Sequence, residues 1–245
     1  MKYLMTFSYD GSKFKGYQKQ PRLRTVQSEI EKALKEINKN KKVDISASGR
    51  TDTGVHAINQ KAHFNMDINI IPDKLKMALN SMLDKDIYIK DVVEAADDFH
   101  ARFDVKSKTY IYKINLGEFN PIEKDYVLQF GKKIDFDEIS RGLKYLEGTH
   151  NFKSFTKSDP SIEDYDRTIL FTNLIKESND KIILEFTGTG FMRYMVRNLV
   201  GTLLEVGTGK IKSEEIISIL NKKDRTKAGV TAPACGLYLK DVYYR

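Results

Sequence analysis

What narrows the choice of fold is the order in which two hydrophobic periodicities alternate along the chain. Period-two runs and period-3.6 runs follow one another in both halves. In the first half, residues 2–9 (KYLMTFSY), 43–48 (VDISAS) and 60–68 (QKAHFNMDI) read as strands. Thr25 opens a helix whose Val26, Ile30, Ala33, Leu34 and Ile37 share one face, and the run at 39–42 ends it. Pro72 suits the first turn of a second helix, with Leu75, Ala78, Leu79, Met82 and Leu83 as its core face. Residues 86–104 look extended, with a break near Ala95. In the second half, 108–115 (KTYIYKIN) alternates strictly, and Phe136, Ile139, Leu143 and Leu146 repeat by three and four. Strands at 167–175 and 181–187 flank a turn at 178–180. The cleanest amphipathic helix runs from about Phe191 to Val206, with a stripe of Met192, Met195, Val196, Leu199, Val200, Leu203 and Leu204. A short helix at 213–220 and a strand at 236–244 follow. Each half is therefore strands against two helices, which predicts two α+β domains of similar layout, 1–104 and 105–245.

Composition limits the partners. Apolar residues are 40% and charged residues 31%, as in a globular protein. No run nears the eighteen apolar residues of a membrane span, and the first residues lack the apolar stretch of a signal peptide. The single cysteine, Cys235, forbids an internal disulfide and points to a cytoplasmic setting. The net charge of +7 suits an anionic partner, because lysines and arginines that meet phosphates release counterions. A lysine-rich proteome would give the same excess.

Elimination leaves one loop that could carry chemistry. His56, His63, His100 and His150 are scattered without metal-ligand spacing. The glycines form no phosphate-binding fingerprint, and no serine or cysteine sits in a nucleophile elbow. Residues 48–57, SGRTDTGVHA, follow a strand and hold Asp52 two residues after Arg50, among two glycines and the hydroxyls of Ser48, Thr51 and Thr53. Such a loop lets a ligand approach a carboxylate closely. An ordinary solvated turn has the same make-up. Arg193 and Arg197, four apart, would lie at the edge of the long helix's apolar stripe, able to aim a guanidinium into a cleft or simply to cover the core. Aromatic and basic residues interleave at 14–17, 100–103 and 106–110, a mixture RNA binders use, although most of the 13 tyrosines are accounted for as core.

SGRTDTGVHA resembles the signature of the tRNA pseudouridine synthase A family. FHARFDVKSKTYIYKI (99–114), GTHNFKSF (148–155), RTI (167–169), GTGFMRYMVRNLVGTLLEVGTG (188–209), TAPACGLYL (231–239) and the N-terminal YDGSKFKGYQKQP are similar to its other blocks, in the same order. Thr53, where alanine is usual, and Asp166, where an apolar residue is common, depart from the pattern without touching the catalytic position. The resemblance implies two α/β domains about an active-site cleft, with a mixed, largely antiparallel sheet flanked by helices. It implies a cofactor-free isomerase, a homodimer, acting on uridines 38, 39 and 40 of the tRNA anticodon stem-loop. It assigns Asp52 as the catalytic carboxylate, Arg197 as its partner and Arg50 as an aid to base flipping. Tyr110, Arg102 and Leu239 are its substrate-binding candidates. A non-catalytic RNA-binding module or RNA chaperone would share the charge and layout but has no use for the SGRTD loop. A small-molecule enzyme with a carboxylate base would show no salt-dependent RNA affinity.

Overall fold

Alternation starts the first element. In the computed structural model, which describes residues 1–157 and 162–244, β1 (Lys2–Tyr9) turns Tyr3, Met5, Phe7 and Tyr9 inward and their neighbours outward. α1 (Val26–Ile37) is started by Thr25. Its Oγ1 accepts the Ser28 amide while Ser28 Oγ accepts the Thr25 amide, a reciprocal cap. α2 (Pro72–Met82) begins at Pro72 and buries Leu75 and Leu79. Ala78 and Leu83 are half-buried and Met82 is exposed, so its core face is narrower than the pattern suggests.

The chain divides into two compact units, Met1–Lys106 with Tyr238–Arg245, and Ser107–Leu237. The first unit holds β1, β2 (Ser46–Ala47), β3 (His56–Asn65) and β4 (Ile87–Glu94), and almost all of β10 (Leu237–Tyr244). β3 and β4 flank β1 antiparallel, β2 pairs antiparallel with β3, and β10 runs parallel to β3, Tyr238 opposite His56 and Leu239 opposite Ala57. Chain order alone assigns that last strand to the second domain; the structure returns it to the first. Asn80 on α2 clamps β4 by donating to Ile89 O and accepting from Ile89 N, both at 2.8 Å.

The second unit carries most of β5 (Val105–Asn115), with β6 (Leu128–Gln129), β7 (Gly148–Asn151), β8 (Asp166–Lys176) and β9 (Lys181–Gly188). β5, β9, β8 and β7 pair antiparallel in that order, and β6 runs parallel to β5. α3 (Phe136–Leu146), α4 (Met195–Gly207) and α5 (Glu215–Lys222) supply its helical layer, burying Ile139, Leu143, Leu199, Leu203, Val206, Ile216 and Ile219. Both units are thus mixed α/β, with largely antiparallel strands flanked by helices.

The strand expected at 60–68 spans His56–Asn65 instead, and three other local expectations change. The strand at 43–48 shrinks to Ser46–Ala47, because the Ile45 amide is taken by the Glu31 carboxylate at 3.2 Å instead of a neighbouring strand. Residues 95–104 are turns closed by bonds such as Phe99 N to Ala96 O and Phe103 N to His100 O, not extended chain. The long helix starts at Met195, not near Phe191, because Tyr194 adopts a left-handed conformation (φ 63°, ψ 0°). Arg193 therefore precedes the helix and lies exposed, and the expected shared helical face with Arg197 does not exist. Met192 is buried all the same, by a turn whose spacing to Met195 mimics helical periodicity.

Candidate active site

The Asp52 loop leaves β2 and enters β3, and it is tied down on every side. Ser48 continues the ladder, its amide bonded to Lys61 O at 2.8 Å. Its hydroxyl donates to Gln60 Oε1 at 2.6 Å, and Gln60 Nε2 donates to Gly49 O at 3.1 Å. Both side chains are fully buried. Thr51 is held twice: its Oγ1 lies 2.8 Å from the Tyr9 hydroxyl, and its carbonyl accepts the Tyr17 amide at 3.1 Å. The loop closes with Val55 N donating to Asp52 O at 3.1 Å. Beyond it, His56 Nδ1 accepts the Gly11 amide at 3.0 Å, and its ring stacks on Tyr238 with centroids 4.6 Å apart. Asp10 Oδ1 lies 3.3 Å from the same nitrogen.

Gly16 completes the cradle. Its φ of +89° suits glycine, and a Cβ there would stand 3.2 Å from Thr51 O, 3.4 Å from Thr53 N and 3.6 Å from the Asp52 carbonyl carbon. Tyr9 and Tyr17 form the floor, ring centroids 6.4 Å apart. Burial pushes the Tyr9 hydroxyl up to about 12, against the opposing pull of its bonds to Thr51 and Gln60. Burial also raises Tyr17 well above the phenol range, helped by Tyr9 and Glu31. Both phenols are therefore neutral near pH 7. On this floor Asp52 is half-buried and Arg50 is exposed beside it. A half-desolvated carboxylate on a rigid loop is what nucleophilic or general-base chemistry uses.

Leu239 sits on β10 opposite Ala57, just after this loop, and is 1% exposed. Arg102 lies elsewhere in the same unit. Its turn is fixed by Ala101 N donating to His63 Nδ1 at 3.0 Å and by the Tyr244 hydroxyl donating to Ala101 O at 2.8 Å. His63 is seven residues beyond His56 on β3, about 23 Å at ~3.3 Å per residue. Arg102 shares no local cluster with Asp52. Its guanidinium carbon stands 5.7 Å from the ring centroid of Phe103, which is 74% exposed and stacked on His100 at 4.2 Å.

In the second unit, Tyr110 on β5 meets Phe191 edge-to-face, centroids 5.1 Å apart. Arg197, in the first turn of α4, donates Nε to Ala232 O at 2.7 Å and returns its own carbonyl to Ala232 N at 3.1 Å. Its guanidinium lies over Tyr194, 5.2 Å from the centroid. Arg225 ties the adjacent loop to α4 by donating to Asn198 Oδ1, Thr231 Oγ1 and Ala228 O. The structure thus gathers Arg50, Asp52 and the Leu239 strand in one unit, and Tyr110 and Arg197 around residues 191–194 in the other. Sequence reading missed the supports: Tyr9, Gln60 and Gly16 beneath Asp52, and Tyr194 beneath Arg197. The hydroxyl of Thr51 was the one visible signal.

The chain matches the family model described as tRNA pseudouridine synthase over residues 5–104 and 143–245. A protein of Streptococcus mutans named tRNA pseudouridine synthase A is 43% identical over 248 residues, 100% of this chain and 99% of that one. Proteins of the same name from Geobacillus sp. (44% over 240 residues, 98% and 96% of the two chains) and Latilactobacillus sakei (42% over 246 residues, 100% and 99%) are similar throughout.

Proposed function

Since the chain belongs to the tRNA pseudouridine synthase family, we propose that it converts uridine to pseudouridine at positions 38 to 40 of the tRNA anticodon stem-loop, with Asp52 as the catalytic carboxylate. The observation that carries this reading is the Asp52 loop itself, whose flanking Thr51 is bonded through both its side chain and its carbonyl. A reaction that detaches a base and rejoins it within one pocket needs such rigidity, because reach is decided in tenths of an ångström.

The isomerisation breaks N1–C1′, turns the base and joins C5 to C1′; the C5 hydrogen leaves as a proton and N1 gains one. A stacked base is out of reach, so the uridine is extruded at a cost of a few kcal/mol. Arg50, exposed at the loop's edge, fills the gap. Tyr110 stacks on the extruded ring, a contact worth about 1–3 kcal/mol. Leu239 contributes an apolar wall. Arg197 supplies the positive charge that keeps a desolvated carboxylate ionised. Whether that anion attacks C1′, attacks the base or removes a ribose proton, it must be charged. Arg102 with the exposed Phe103 contacts RNA outside the pocket, which only a large substrate can span. The enzyme works in the cytoplasm as a homodimer, which sedimentation checks.

The test is tritium release from C5-labelled uridine in tRNA. Asp52→Asn and Asp52→Ala bind tRNA normally and release no tritium, and binding weakens steeply with salt. Undiminished release by Asp52→Asn refutes the assignment; salt-independent binding refutes the RNA reading.

A further inference from the structure

We propose that Tyr194 is a positioning residue for Arg197, held in a strained backbone conformation so that its ring aims the guanidinium. This rests on the reading of Arg197 as the active-site cation. Five non-glycine residues among those described have positive φ: Arg22, Lys39, Asn40, Tyr194 and Lys223. Lys39 and Asn40 follow α1 and Lys223 ends α5, where left-handed residues are common. Arg22 sits in a surface loop. Tyr194 is the one aromatic of the five, and it stands at the start of a helix, where an extended conformation is the rule. A bulky side chain at φ 63° is costly and persists only where its surroundings impose it.

Those surroundings are visible. The Arg193 carbonyl accepts from Thr156 Oγ1 at 2.9 Å and from Lys157 N at 3.4 Å. Met195 N closes a turn onto Met192 O at 3.1 Å, and Tyr194 O receives the first helical bond from Asn198 N at 2.9 Å. The backbone at 193–195 is fixed from both sides.

The conformation lays the Tyr194 ring against two guanidinium groups, that of Arg197, 5.2 Å from centroid to carbon, and that of the exposed Arg193, at 5.0 Å, which also donates Nη2 to the Tyr194 hydroxyl at 3.3 Å; both lie within the range of cation–π attraction. Nε of the same guanidinium is committed to Ala232 O. One edge on a carbonyl and one face on a ring hold the guanidinium plane in place. Phe191, three residues earlier, packs edge-to-face on Tyr110. An extended Tyr194 would swing its ring off the arginine, and a glycine or asparagine would relax the backbone but offer no ring.

The experiment compares Tyr194→Gly, Tyr194→Asn, Tyr194→Phe and Arg197→Ala by melting temperature and by kcat and KM for tritium release from C5-labelled tRNA. Tyr194→Gly and Tyr194→Asn relieve the strain, so melting temperature holds or rises, while kcat falls roughly threefold to thirtyfold at nearly constant KM. Tyr194→Phe keeps the ring and the activity. In an Arg197→Ala background, Tyr194→Gly costs nothing further. Wild-type kcat in Tyr194→Gly overturns the proposal, as does a loss of activity that merely tracks a lower melting temperature. If Arg197→Ala itself is fully active, the reading of Arg197 has failed and the proposal falls with it. If Arg197→Ala is inactive and Tyr194→Gly is not, only the positioning role has failed.

Discussion

Gly16→Ala tests whether the Asp52 loop is positioned by close packing. The new Cβ would meet Thr51 O at 3.2 Å, so the loop must yield by a few tenths of an ångström, and the residue must keep φ near +89°. The backbone strain costs about 1–2 kcal/mol. At roughly 2–4 °C per kcal/mol for a chain of this size, melting drops by about 2–8 °C. The shift has a second effect. A misplacement of 1 Å costs about a hundredfold in rate, so about 0.3 Å, scaled logarithmically, costs roughly fourfold in kcat. Gly209→Ala is the control. Its φ of +74° imposes a similar strain, but nothing lies within 4 Å of the new Cβ. Differential scanning fluorimetry and tritium release on both variants separate the effects. Both should lose stability, and Gly16→Ala alone should lose kcat. Equal kcat in the two variants would refute the view that Gly16 and the Thr51 carbonyl set the carboxylate's place.

The Tyr9–Thr51 bond should behave as one unit. Tyr9→Phe and Thr51→Val each cost about 1 kcal/mol in chemical denaturation, and the double variant costs little more than either. With the phenol held at about 12, the effect should not vary between about pH 6 and pH 10; additive losses would show the bond to be unimportant. Burial, with His100 and Lys2 nearby, holds His63 below its ordinary value, so the unfolded chain takes up the proton first. Stability should therefore fall as pH drops through about 6.5 and level off below the folded value. His63→Gln should flatten that part of the melting profile, and an unchanged slope would count against it. Arg24 bridges both Asp86 oxygens, at 2.8 and 3.0 Å, and covers Phe14. Arg24→Ala should cost about 1–3 kcal/mol and Arg24→Lys should restore less than half, since a lysine cannot span both oxygens; full restoration by lysine would refute the bidentate reading.

What the sequence determined by itself was local. The order of the five helices and the longer strands followed from periodicity, because burying one face is a requirement each of those segments meets within its own eight to thirteen residues; β6 and β7, two and four residues long, are too short to show a period and were not expected. The Asp52 loop was legible for the same reason: its glycines, hydroxyls and carboxylate are contiguous. Tertiary structure decided whatever depends on partners far along the chain. Leu239 lies opposite Ala57, and Thr51 is held by Tyr9, 42 positions away, neither of which leaves a mark in local pattern. The second strand was cut short because Glu31, on a helix, took the amide it needed. Arg193 left the helical face it seemed to share with Arg197 because Tyr194 is left-handed, and a periodicity of apolar residues records which side chains are buried, not the sign of φ.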